Sequence, residues 1–154
     1  MSDIIGIRNL ETDPHALRGR YQWGGKTVKR EDGHYMYVGT GNSFMGSCTQ
    51  NLAMSAPVGH VIALIAQTDD SSFAKSQIWY ADELLAMQDG DVYIKAARIK
   101  ETNRIHEMTI SQCSSGVTIL GTALYTPEDW EHLYTLYQRG ALPYPWFAGD
   151  GTSV

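Results

Sequence analysis

Residues 60–67 read HVIALIAQ, and the reading of this run decides the fold. An unbroken apolar run of this length suits a β-strand covered on both faces. The flanking segments alternate instead, as half-buried strands do. Downstream, TDDSS (68–72) is a turn signal, SQIWYA (76–81) reads as a strand, and DELLAMQDGD (82–91) fits either a short helix or a strand closed by a Gly turn. In DVYIKAARIK (91–100), Val92, Ile94 and Ala96 share one face and Tyr93, Lys95 and Ala97 the other. RIHEMTISQ (104–112) sets His106, Met108 and Ile110 together, and VTILGTALY (117–125) is the last strand expected.

Upstream, CTQNLAM (48–54) is expected to be a strand closed by SAPVG (55–59). In EDGHYMYVGTG (31–41), Asp32-Gly33 is a hairpin turn signal, with Tyr35 and Tyr37 opposite Met36 and Val38. RGRYQWGGK (18–26) places Tyr21 and Trp23 at strand spacing before a Gly-Gly turn. Roughly seven to nine short strands with turns between them are the pattern of a β-sandwich or small barrel.

Residues 126–140, TPEDWEHLYTLYQRG, break that pattern. Thr126 is an N-cap, Pro127 occupies the first helical position, and Glu128 and Asp129 put negative charge at the positive end of the helix dipole. Trp130, Leu133, Tyr134 and Tyr137 form one stripe, and Gly140 is the stop. The organisation expected is a single all-β domain: an extended N-terminal arm over 1–30 that reaches out to a partner, a β-sandwich over 31–125, a helix over 126–140 that closes the open end of the sandwich, and an extended tail over 141–154 held open by Pro143 and Pro145.

The chain has 154 residues, 43% of them hydrophobic and 19% charged, with a formal net charge of −5. That balance indicates a globular protein and argues against a dedicated nucleic-acid binder. Charge is unevenly placed: Arg18, Arg20, Lys26, Lys29 and Arg30 are five bases without an intervening acid, whereas four acids face one Arg from Gly121 onward. Such asymmetry suits head-to-tail contact between copies or docking on a partner. The start, MSDIIGIRNLETD, does not read as a signal peptide, and no apolar run of membrane-spanning length occurs, so synthesis in a cytoplasm and no membrane partner are expected. Cys48 and Cys113 have no metal-type spacing and are expected to be reduced.

No catalytic signature emerges. GTGNSFMG (39–46) lacks the third Gly and following helix of a phosphate loop, and His15, His34, His60, His106 and His132 form no metal motif. Cys113, Ser114 and Ser115 sit in a turn rather than a nucleophile elbow. No catalytic, cofactor or metal residue is therefore assigned. Aromatics are the richer signal, since Tyr and Trp combine contact area with a polar handle. The candidate interface residues are Tyr144, Trp146 and Phe147 of the tail and Arg18 and Arg20 of the arm. Trp79 and Tyr93 are candidates for stacking on a sugar ring.

The layout from TQNLAMSAPVGHVIALIAQTDDSSFAKSQIWYA through DVYIKAARIK to VTILGTALYTPEDW resembles galactose-binding-type jelly-roll modules of tailed-bacteriophage structural proteins, the tail fibres and tailspikes. The ending DW…LY…GALPYPWFAGD likewise resembles C-terminal tails of phage structural proteins. The resemblance implies a jelly-roll sandwich and a non-catalytic virion component, a capsid decoration or tail-associated protein. Its partners would be copies of itself and other virion proteins. A carbohydrate-binding module recognising a surface glycan is the alternative, and a small jelly-roll enzyme the third class.

Overall fold

The computed structural model describes residues 7–142 and 144–146. Among them the chain is mostly β, with two antiparallel sheets and a C-terminal helix. The smaller sheet has the order β1-β4-β8, built from β1 (Gln22–Trp23), β4 (Phe44–Gly46) and β8 (Glu107–Thr109). The larger has the order β2-β3-β9-β5-β7-β6. Its strands are β2 (Lys26–Lys29), β3 (Tyr35–Val38), β5 (Val61–Thr68), β6 (Ala81–Asp89), β7 (Val92–Ile99) and β9 (Val117–Tyr125).

The apolar run is β5, placed between β9 and β7. Ile62, Leu64 and Ala66 face one core, and Val61 and Ala63 face a second. The first core lies between the two sheets and includes Tyr37, Met45, Phe73, Met108 and Ile110. The second lies under α2 (Pro127–Gln138), whose Trp130, Leu133 and Leu136 are buried. Ala96, Ala63 and Ala123 stand opposite one another across β7, β5 and β9. Three small side chains in a row form a flat strip on which a helix can lie close. α2 therefore covers the face of the larger sheet, where the sequence suggested that it closes an open end. Its start is as expected: Thr126 Oγ1 accepts the Asp129 N–H at 3.2 Å, and Gly140 carries a φ of +81°.

β9 also contributes to both cores, and a bulge shifts the phase of its alternation part-way along. Ile65 pairs with Gly121 and Ala66 with Ile119, leaving Leu120 as the extra residue. Val117, Ile119 and Leu124 thus face the first core, and Ala123 and Tyr125 face the second.

Other expectations change as well. SQIWYA (76–81) is not a strand: β6 takes up only its last residue, Ala81. Residues 48–54 do not form a strand: Gln50–Ser55 is a helix, α1, with Ala53 buried in the first core. The arm does not project. β3 pairs only the start of β9, and the arm takes the vacant side further on, with Leu10 N–H donating to Leu124 O and Thr122 N–H to Pro14 O, each at 2.8 Å. Nor does the described part of the tail leave the domain. Leu142 is buried in the second core and Trp146 packs against it. Segment 82–91, which fits either a helix or a strand by its sequence, supplies all but the first residue of β6 and then turns at Gly90.

Candidate binding surface

Strand register decides what the smaller sheet shows to solvent. Met45 opposes Met108, and both are buried in the first core. The alternate positions point outward: Trp23 opposite Phe44, Phe44 opposite Thr109, and Gly46 opposite Glu107. Trp79 joins this outer face from the segment before β6, its N–H donating to Glu107 O at 3.0 Å. The result is a row of rings. Trp23 and Phe44 have centroids 5.8 Å apart, Phe44 and Trp79 5.2 Å, and Trp79 and Tyr80 6.3 Å. Trp23 is 52% exposed and Trp79 41% exposed, so the ridge is open to a partner. Exposed aromatics gathered in one patch mark interaction sites far more often than scattered ones.

The end of the ridge is held under strain. Tyr80 has a φ of +60°, a conformation that bulky residues avoid at a cost of about 1–3 kcal/mol. Tyr80 O accepts from Lys100 N–H at 2.9 Å, and the Arg104 guanidinium lies 4.7 Å from the ring centroid. Beneath it sits the fully buried His106, Nδ1 3.0 Å from Ala53 O and Nε2 3.1 Å from Glu101 O. Burial holds the His106 pKa below the usual value, and burial raises that of the Glu107 carboxyl.

Next to Thr109 the ridge borders a cleft of ≈ 470 Å³, lined by Ser71, Ser72, Lys75, Ser111 and Gln112. The 3₁₀ turn over Ser71–Lys75 forms one wall. It is held by the buried Lys95, whose Nζ donates to Ala74 O at 3.0 Å and to Ser76 O at 2.7 Å. Cys113 lies below, its thiol pKa raised by burial. Among the described residues no group of three or more His, Cys, Asp and Glu side chains is placed to hold a metal ion. Nor is any helix long and apolar enough to cross a membrane.

The structure separates the candidate residues. Trp79 stands on the ridge. Tyr93 is 3% exposed and packs edge-on against Phe73 at 5.5 Å, so it offers no face to a sugar. Arg18 is exposed. Arg20 is not a surface residue: its side chain is 1% exposed and reaches Asp13 Oδ2 at 2.7 Å and Thr122 Oγ1 at 2.6 Å. Tyr144 donates from its hydroxyl to Asp89 Oδ2 at 3.0 Å, and Trp146 lies edge-on to His15 at 5.7 Å. Phe147 lies outside the described residues. The sequence alone does not mark Trp23 and Phe44 as a site. Trp23 has strand spacing with Tyr21, but GTGNSFMG (39–46) reads as a loop and is strand β4 from Phe44 to Gly46; the meeting of the two rings depends on the pairing of β1 with β4.

Compared with protein-family models, with curated proteins and with solved structures, the chain finds no significant match.

Proposed function

We propose that the chain is a non-catalytic structural protein that acts by association, a component of a tailed-phage virion, with the ridge Trp23–Phe44–Trp79–Tyr80 as its docking surface. The observation that supports this reading is the ridge itself. Four rings follow one another at centroid spacings of 5.2–6.3 Å, Trp23 and Phe44 on the outward face of the smaller sheet and Trp79 and Tyr80 from the turn before β6, where burial against a neighbouring protein would gain large apolar area. The jelly-roll assignment belongs to the same reading and rests on two antiparallel sheets of short strands with the last strand returning to the middle. The virion setting rests on the resemblance of its strand layout and C-terminal ending to phage structural proteins.

The test uses particles from a phage deleted for this chain. Purified wild-type protein is added, and copies bound per particle are counted. Wild type is expected to add, and Trp23→Ala/Trp79→Ala to bind at least tenfold less. Equal binding by the variant would remove the ridge from the account. A second reading, glycan recognition, is favoured by one observation: Phe44 of the ridge, 5.2 Å from the open Trp79 ring, pairs with Thr109 of a cleft lined by hydroxyl, amide and ammonium groups. Binding on a glycan array that is lost in Trp79→Ala would select it.

A further inference from the structure

Among the described residues the larger sheet ends in two strands, β2 and β6, each paired on one side only. A free edge presents unpaired N–H and C=O groups and is a template for another strand. The two edges carry opposite charge. β2 reads KTVK, all four residues exposed, and Arg30 follows. β6 begins ADELL, with Asp82, Glu83 and Leu84 exposed, and ends in the exposed Asp89. Two of these acids already have partners in the chain: Asp82 with Lys100 at 3.5 Å, and Asp89 with the Tyr144 hydroxyl. Glu83 stands exposed beside them, its charge also felt by the buried Lys95.

We infer that copies of this chain join head to tail, β6 of one pairing antiparallel with β2 of the next. Direction permits it. Neighbouring strands alternate through six positions, so β2 and β6 run opposite ways. A second copy moved along the sheet without being turned over therefore continues the antiparallel order and keeps α2 on the same side. Charge selects it among the pairings that geometry allows. Joining β2 to β2 sets Lys26 and Lys29 against lysines, and joining β6 to β6 sets acids against acids; both are repulsive. Lysines on one edge and the bulge at Leu84 on the other are devices against indiscriminate pairing. They leave the complementary joint open.

Faces set the register. Lys29 pairs with Tyr35, which packs on the first core, and Glu83 pairs with Ala97 of that core. Lys29 thus meets Glu83 of the next copy on one face. On the α2 side the exposed Val28 meets the next copy's Leu85, beside the exposed Leu84 of the bulge. Because the two joined patches differ, the contact is heterologous. It builds a ring or a filament rather than a closed dimer.

This rests on the reading of the chain as an association protein but uses a surface apart from the ridge. The test is sedimentation velocity of the full chain from micromolar to millimolar concentration, at low and high salt. Wild type is expected to gain mass stepwise with concentration, more at low salt. Lys26→Glu/Lys29→Glu makes both edges acidic, and Asp82→Lys/Glu83→Lys makes both basic. Each variant alone is expected to self-associate at least tenfold more weakly, with an unchanged circular dichroism spectrum because all four positions are exposed. An equimolar mixture is expected to recover assembly, since every joint then pairs an acidic with a basic edge. A wild-type monomer throughout, single-edge variants that assemble as wild type, or a mixture that stays monomeric would each overturn the joint. Particle binding through the ridge, measured on the same variants, shows whether the wider association reading survives such a failure.

Discussion

The Arg20 guanidinium donates to Asp13 Oδ2 at 2.7 Å while its own side chain is 1% exposed. A second acid, Glu11, lies 3.4 Å from the same group with its side chain wholly buried. Both acids belong to the segment laid along β9, so this ion group fastens the arm to the fold. Removing one partner of a buried ion group strands the others, at a cost of about 3–5 kcal/mol. Arg20→Ala should lose stability on that scale in urea unfolding. Arg18→Ala, whose exposed guanidinium is 3.9 Å from Asp13, should change it by less than ~0.5 kcal/mol.

The same group makes the fold sensitive to acid. Burial alone would raise the Glu11 pKa. The Thr49 hydroxyl and N–H, the Arg20 charge and the Asp13 N–H together outweigh it and hold the carboxyl below its usual 4.5. Asp13 is likewise held below 3.8: burial opposes, but Arg20 and the Arg18 and Leu17 N–H groups prevail. Depressed folded-state values mean that the unfolded chain binds protons first as pH falls. The stability contributed is complete above the unfolded values and drains away as pH drops through the folded ones. Urea midpoints measured from neutral pH downward should therefore fall below about pH 5. Glu11→Gln should start less stable and fall less steeply.

How much of this was legible in the sequence differs by element. α2 was, because its signals are local: the Thr126 cap, Pro127 and the stop at Gly140 act within one turn of the helix ends. β5 was, because a strand with two covered faces has no polar side to disguise it. α1 was not. Thr49, at its N-cap, makes no capping hydrogen bond, because its hydroxyl and N–H are both drawn to Glu11. The ion group was not legible either, since Arg20 and Thr122 are 102 residues apart and meet only when the arm lies on β9. Asymmetric charge was legible as composition. That the lysines of β2 and the acids of β6 stand at opposite ends of one sheet was not, because topology and not sequence order puts them there.

Gly121 and Trp146 test the seating of the tail. A Cβ at Gly121 would lie 2.9 Å from the Trp146 ring, too close unless the indole shifts. Gly121→Ala should displace Trp146, seen as a change in tryptophan fluorescence, and cost about 1–3 kcal/mol by overpacking. Truncation after Gly140 removes Leu142 and Trp146 and should lower stability by about 2–5 kcal/mol. A shortened chain as stable as wild type would return the tail to solvent.

Both thiols should be silent in the folded protein. Burial, with the nearby Glu11 charge adding to it, pushes Cys48 up to about 12, and burial raises Cys113 as well. Thiolate is the reactive form. A colorimetric disulfide reagent should therefore label neither cysteine at neutral pH and both in urea.

The central claim is that this chain is a structural part of a virion. Quantitative mass spectrometry of purified particles from the phage that encodes it tests that claim most directly. The account predicts its peptides in the particle at a fixed stoichiometric ratio to a major capsid or tail protein, retained through gradient purification. Abundant chain in the infected lysate with none in the purified particle would contradict it.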